Sequence, residues 1–364
     1  MPFEHGSLTV TIYSLPGQLP ENLLELFEAK KAGLLDHVQE EPQIGWVSGR
    51  HLLETTIDES TGIRGGHLYL NLRKAERKMP GTLLNAICKR EELVYMQAHQ
   101  SAMVPTRVKR EIKKDTLEKH LMKMPPGIAG VPMVIDRTAN LLYVGTASTA
   151  QLDCFIALFI KTTNIEPIQL TPGLMLADMY EITESSLPEV MFSEHADGEM
   201  TPGRDFLTWL WYYSENEGGK VTHEQFGEFD VMVEAPLSFA FSAEARGAAE
   251  TTLKKGGSPL RSAEAKAALI VGKKLKKAKF AITRGEDIWS GTFDADRFAF
   301  CSLNLPEGEE MDAESRFAER IQNLYIFQEI IKLYFKKFTD TVRDIRWAEE
   351  EKKIQQWAQE RESY

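Results

Sequence analysis

Residues 133–161 read MVIDRTANLLYVGTASTAQLDCFIALFIK. Two apolar runs, Met133 to Asp136 and Leu141 to Gly145, flank a polar turn from Arg137 to Asn140, which is the pattern of a β-hairpin. Apolar residues then recur at helical spacing from about Ser148 to Lys161, so the segment is a ββα unit. Upstream, Leu8 to Tyr13 alternates as a half-buried strand does, and Pro20 to Lys31 has the spacing of a short helix. Ile44 to Ser48 and His67 to Arg73 are further strands, divided by a glycine-containing turn at Thr61 to Gly66. Downstream, helices are predicted over Gly173 to Thr183 and over Gly203 to Tyr213, the latter aromatic all round and therefore buried. Phe229 to Phe241 reads as two short strands about Pro236, Ala263 to Val271 as a helix, and Lys273 to Ile282, Ile288 to Phe293 and Arg297 to Leu303 as an antiparallel set. Strands grouped with one another, rather than alternating strictly with helices, make the fold class α+β, with antiparallel-sheet-based halves and a long C-terminal helix.

That C-terminal helix starts near Asp312. Phe317, Ile321, Leu324, Gln328, Ile331, Phe335, Phe338, Val342 and Ile345 are spaced alternately four and three apart, a heptad seam. Such a seam either packs on its own domain or mediates self-association. Beyond Ile345 the pattern breaks, and the run through Trp347, Trp357 and Arg361 reads as a polar, exposed helix. At 364 residues, two or three domains, or one elaborated domain with insertions, are expected, with boundaries placed at 1–170, 171–311 and 312–364.

Composition narrows the classes. Apolar residues are 43% and charged residues 27%, ordinary for a globular chain. No run approaches the roughly 18 consecutive apolar residues of a membrane span, so no membrane partner is expected. The first residues, Met1-Pro2-Phe3-Glu4-His5, lack the pattern of a secretory signal, and three scattered cysteines, Cys88, Cys154 and Cys301, fit a reducing compartment. The expected location is the cytoplasm.

The net charge of −11 conceals a partition. Arg73 to Lys123 holds 13 Lys and Arg against 6 Asp and Glu, and Arg246 to Arg284 holds 11 against 2. Two basic segments therefore sit in an acidic body. In the first, Pro80 opens a helix to about Gln100, and a second helix runs from Thr106 to about Met124 before Pro125-Pro126-Gly127 stops it. Arg107, Arg110 and Lys114 recur at i, i+3, i+7 and Lys109 and Lys113 at i, i+4, so one broad helical face carries positive charge suited to a phosphate backbone. In the second, Lys273, Lys274, Lys276 and Lys277 enter a strand. A basic run is also what a solvated face balanced by acidic neighbours looks like.

Catalytic and cofactor patterns are missing. Gly272-Lys273-Lys274 lacks the upstream glycine and the hydroxyl residue of a phosphate-binding loop, and the Gly62 to Gly66 cluster is not a dinucleotide fingerprint. Histidines are scattered without metal-ligand spacing, acids such as Asp136 and Asp153 form no paired pattern, and no Gly-x-Ser-x-Gly elbow occurs. Asp136 reads as a turn residue. No cofactor, metal or catalytic residue is expected.

In order, Gly45-Trp46-Val47-Ser48, Leu72-Arg73-Lys74, Lys78-Met79-Pro80, the basic helix Arg107 to Lys123, Met133-Val134-Ile135-Asp136, Gly203-Arg204-Asp205-Phe206-Leu207-Thr208-Trp209-Leu210-Trp211 and Gly272-Lys273-Lys274 resemble the bacterial recombination-associated RdgC family. The resemblance runs from about Leu8 to Phe338. It implies a non-enzymatic protein that binds double-stranded DNA without sequence preference, as a ring-shaped or clamp-like homodimer associated with the nucleoid that restrains RecA-driven recombination. The chain departs from the pattern at Lys123 to Ile128, which has no aromatic where some relatives place one, in the insert Pro188 to Thr201, and in the tail after Ile345. The residues expected at phosphates are Arg107, Lys109, Arg110, Lys113, Lys114 and Lys123 with Lys273, Lys274, Lys276 and Lys277. The alternatives are a metal-dependent DNA exonuclease whose acids converge only in the fold, and a protein-interaction scaffold using the Phe317 to Ile345 seam.

Overall fold

The computed structural model describes residues 2–194, 200–241, 249–254, 256, 258–308 and 312–363; Arg246 and Lys255 of the second basic segment and residues 195–199 of the insert lie outside them. Its strands are Leu8–Ser14 (β1), Gln43–Ser48 (β2), Ile63–Arg64 (β3), His67–Glu76 (β4), Gly127–Asp136 (β5), Leu141–Val144 (β6), Ile168–Gln169 (β7), Lys220–His223 (β8), Gly227–Ala240 (β9), Glu250–Leu253 (β10), Lys274–Arg284 (β11), Asp287–Asp294 (β12) and Ala299–Asn304 (β13). Its helices are Leu23–Glu28 (α1), Glu59–Gly62 (α2), Gly81–Ala98 (α3), Thr106–His120 (α4), Thr149–Thr163 (α5), Pro172–Tyr180 (α6), Pro202–Asn216 (α7), Ala263–Ile270 (α8), Ala313–Arg343 (α9) and Trp347–Glu360 (α10).

The hairpin of residues 133–144 forms where its pattern places it. Asp136 Oδ1 accepts from the amides of Thr138 at 2.9 Å and Ala139 at 3.1 Å, and Asn140 takes the left-handed conformation at φ 53°, which together close the turn. Around this hairpin runs one antiparallel sheet in the order β10-β9-β11-β12-β13-β1-β6-β5-β4-β2, with β8, β7 and β3 paired to β9, β1 and β4. The fold is α+β, as the element pattern predicts. β1 joins the two halves: Leu8 and Val10 pair with β13, and Thr11 to Ser14 pair with β6.

The halves differ in how they are covered. Over residues 68–73 of β4, residues 131–136 of β5 and all of β6 both faces are buried, so these stretches do not show a simple alternation of buried and exposed positions. Leu70, Met133, Ile135 and Leu142 pack with Trp46, Phe155, Phe159 of α5 and Phe27 of α1 on one face, while Tyr69, Val134 and Tyr143 join Phe317 of α9 on the other. Trp46 donates its indole N–H to Thr162 Oγ1 at 2.8 Å, so its polar edge is satisfied in the core. At β9, β11 and β12 only one face is covered, by α7 and α9, and the strands alternate.

Two expectations change, and one open alternative is decided. Gly227–Ala240 is one strand: the register of β9 on β11 passes from Ala278↔Leu237 to Lys279↔Glu234, so Ala235 and Pro236 form a bulge in which proline needs no ladder partner. The heptad seam faces the chain's own core, with Phe317 through Val342 buried at every seam position and only Ile345 exposed, at 99%. A helix so covered leaves no seam for a second copy. The terminal segment is docked, because Ile354 and Ala358 are fully buried and the Arg361 guanidinium lies between the Trp211 and Trp357 rings at 4.1 and 4.7 Å. Glu215 completes that clasp, accepting from Trp357 Nε1 at 2.9 Å and Arg361 Nη2 at 3.1 Å. Polar composition hid this docking, since only a few residues of α10 make it.

α7 is the central helix of the open half. Phe206 touches Phe293, Phe298, Phe335 and Phe338, with ring centroids 5.3 to 6.4 Å apart. Phe206→Ala is expected to cost about 3–5 kcal/mol of unfolding free energy in urea titration, with α9 and β12 losing amide protection together.

Candidate nucleic-acid interface

The first basic segment forms a two-helix arm inserted between β4 and β5. Its hairpin shape follows from sequence: Pro80 and Pro105 stand at the N-caps of α3 and α4, and Gln100 turns the chain at φ 47°. No side chain of α3 is buried, and of α4 only Thr116. Arg77 fixes the arm's root by donating to the carbonyls of Val38, at 2.8 Å, and Met124. Arg73 is a structural cation: it is 2% exposed, donates to the carbonyls of Gly33 and Leu52, and burial lowers its pKa.

On α4 the expected phosphate contacts Arg107, Lys109, Arg110, Lys113 and Lys114 are all exposed, as is Lys123 just beyond it. Arg107 pairs with Glu111 at 3.1 Å, Lys114 with Glu118 at 3.6 Å, and Lys109 reaches Glu92 of α3 at 3.9 Å. Arg110, Lys113, Lys119 and Lys123 have no ion-pair partner among the described residues. Exposed pairs of the first kind contribute little and exchange readily for a phosphate. Lys119 is not among the residues that the sequence singles out, although its i, i+4 relation to Lys123 is visible there. The arm also exposes Leu83, Leu93, Val94, Met103 and Met122.

The second segment is arranged otherwise. Lys274, expected at a phosphate, is 1% exposed, with its ammonium 2.6 Å from Asp205 Oδ1 of α7. Burial pushes the Asp205 carboxyl up to about 6, against the pull of Lys274. Lys273 is also buried, bonded to Thr251 Oγ1 at 2.7 Å with its ammonium over the Phe241 ring. Lys276 pairs with Glu250 and Asp296, Lys277 with Asp294 at 2.7 Å, and Lys279 with Glu234 at 2.7 Å. Burial would raise Asp296, but the Arg204 guanidinium and the two lysines bring it below its ordinary value. Every lysine of β11 thus has a carboxylate partner, and the strand is a neutralised surface. The run of lysines shows in sequence; its partners on α7, β9, β10, β12 and the turn after β12 are far away in the chain and do not.

Among the described residues no three His, Cys, Asp or Glu side chains converge as a metal site requires, and no helix is long and apolar enough to cross a membrane.

An antiparallel sheet with a cationic helical arm between two of its adjacent strands defines the class of the chain. Residues 9–177, from β1 through the arm into α6, match the family model described as "Putative exonuclease, RdgC". That family carries a DNA-associated, recombination-related role. No curated protein matches the chain.

Lys274→Met leaves Asp205 buried and unpaired, and should cost about 3–5 kcal/mol in chemical denaturation. Lys274→Met combined with Asp205→Leu should recover most of that stability, which a surface phosphate contact would not do.

Proposed function

We propose that the chain is a non-enzymatic protein that binds double-stranded DNA without sequence preference and regulates RecA-dependent recombination by occupying the substrate. The observation that carries this reading is the arm: exposed cations on and beside α4, four of them without an acidic partner among the described residues, on a projection that buries almost nothing of itself. Phosphate contacts from such a face confer affinity that is independent of sequence and falls with salt. Leu83, Leu93 and Val94, exposed on α3, support a homodimer, since exposed apolar side chains are what a second copy would cover. Two arms around one duplex make a ring or clamp. The acidic remainder of the chain repels a second duplex, and a cytoplasmic, nucleoid-associated location follows from the substrate.

A metal-dependent exonuclease is the second reading, favoured by the family description itself. Incubation of end-labelled duplex with Mg²⁺ or Mn²⁺ separates them: binding without catalysis leaves the label on full-length DNA, and exonuclease activity releases it as mononucleotides.

Lys109, Arg110, Lys113 and Lys114 reversed together to Glu should weaken anisotropy-detected binding to a random-sequence duplex at least tenfold, uniformly across sequences. The slope of log affinity against log salt should flatten by about 0.9 for each phosphate that the variant no longer neutralises. Reversal of Lys276 and Lys277, already matched by acids, should change the slope little. Unaltered binding in the first variant contradicts the assignment.

A further inference from the structure

A cleft of about 820 Å³ lies away from the arm. It opens where α5, the strap Pro167 to Pro172, the first turn of α7 and the turn Ala295 to Phe298 meet over β1. One wall is apolar, formed by Leu152, Ile156 and Ile160 of α5. The opposite side carries the N-terminal end of α7, flanked by Arg204 and Arg297.

Two hydrogen-bond donors there lack a partner among the described residues. Tyr13 lines the cleft and is 5% exposed, its ring part of the core beneath α5, yet its hydroxyl makes no hydrogen bond among the described residues. Burial and nearby Asp153 push its pKa up to about 12, so the phenol remains a donor. The second donor is the Gly203 amide in the first turn of α7, where the Thr201 side chain makes no cap. A side chain at 203 is excluded, because an added Cβ would lie 2.3 Å from the Ala295 carbonyl oxygen.

The charges of the cleft are also specific. Arg204 is fixed by Asp296 at 2.5 and 2.8 Å, and Glu184 lies against the first turn of α6 near Gly173. What faces a ligand is the Arg297 guanidinium, half exposed, held by the Ala147 carbonyl at 3.0 Å and only 4.0 Å at Nε from Asp294, whose nearer partner is Lys277, together with Asp153, which has no ion pair or hydrogen bond among the described residues. Positive potential at a helix N-terminus takes a phosphate; an apolar wall takes a planar ring; an isolated carboxylate takes a sugar hydroxyl or ring amino group. We propose that this cleft binds a nucleoside monophosphate unit, supplied either as the free nucleotide or as the 5′-terminal nucleotide of a DNA strand. It goes beyond the arm's reading and does not depend on it.

Calorimetric titration of the full chain with thymidine monophosphate, thymidine and inorganic phosphate tests this. Saturable binding of the monophosphate is expected, tighter than of either fragment. Tyr13→Phe, which removes the hydroxyl alone, should weaken it about fivefold to tenfold. Arg297→Gln, at a half-exposed position, should weaken it tenfold or more and serves if Tyr13→Phe perturbs the fold. Repeating the titration with short 5′-phosphorylated and 5′-hydroxyl oligothymidylates, in the four-Glu arm variant, separates the sources. Tighter binding of the phosphorylated strand assigns a strand end, and equal binding of strand and mononucleotide assigns the free nucleotide. Because the arm is disabled, loss of duplex binding and loss of nucleotide binding are read separately. Absence of saturable binding, inorganic phosphate binding as tightly as the nucleotide, or affinity unchanged in both variants would overturn the proposal.

Discussion

The strand Leu8–Ser14 is the constraint on which the architecture rests. Its first residues pair with β13 and its last with β6 and β7, so the two halves of the sheet share one set of backbone hydrogen bonds. Removing it would expose unpaired ladder groups on both sides and open the cores above and below it, since Val10 and Ile12 belong to one and Tyr13 to the other. α9 reinforces the union from one face: Phe317 packs on Tyr69 of β4, and Phe327 on Phe280 and Phe300 of the other half. A rigid sheet of this kind gives the arm a fixed root, held at Arg73 and Arg77, while the arm itself adds no core.

Charge segregation in the sequence therefore has two structural outcomes. In β11 each cation is answered across the sheet or from the turn after β12, and Lys274 is withdrawn into an ion pair beneath α7. Such a pair specifies how helix and strand dock more than it stabilises them. On α4 the cations outnumber the acids within reach, and neighbours on the same face repel, which solvent screens until a polyanion replaces it. Net charge alone distinguishes neither case. Partner geometry does.

The strands and helices with strong local periodicity were legible: the hairpin of residues 133–144, the buried aromatic helix α7, the arm and the long α9. What escaped was non-local. The Pro236 bulge is absorbed by β11, far downstream, and reading proline as a break between strands ignored that a bulge removes the need for its N–H. The clasp of Arg361 by Trp211, Trp357 and Glu215 uses few residues of an otherwise polar tail. A heptad seam carries no label for its partner, and here that partner is the chain's own sheet. Of the lysines and arginines expected at phosphates, those on or beside α4 are exposed, as the helical spacing suggested. Those on β11 have partners that no spacing rule could supply, among them Asp205, Asp294 and Asp296.

On the proposed function, the arm rather than the lysine-rich strand is the surface that meets DNA. Amide hydrogen exchange of the full chain, with and without a random-sequence duplex at low salt, tests that claim directly. Added protection is predicted across residues 81–123 and none across 274–284. Protection confined to β11, with the arm exchanging as in the free protein, would contradict it.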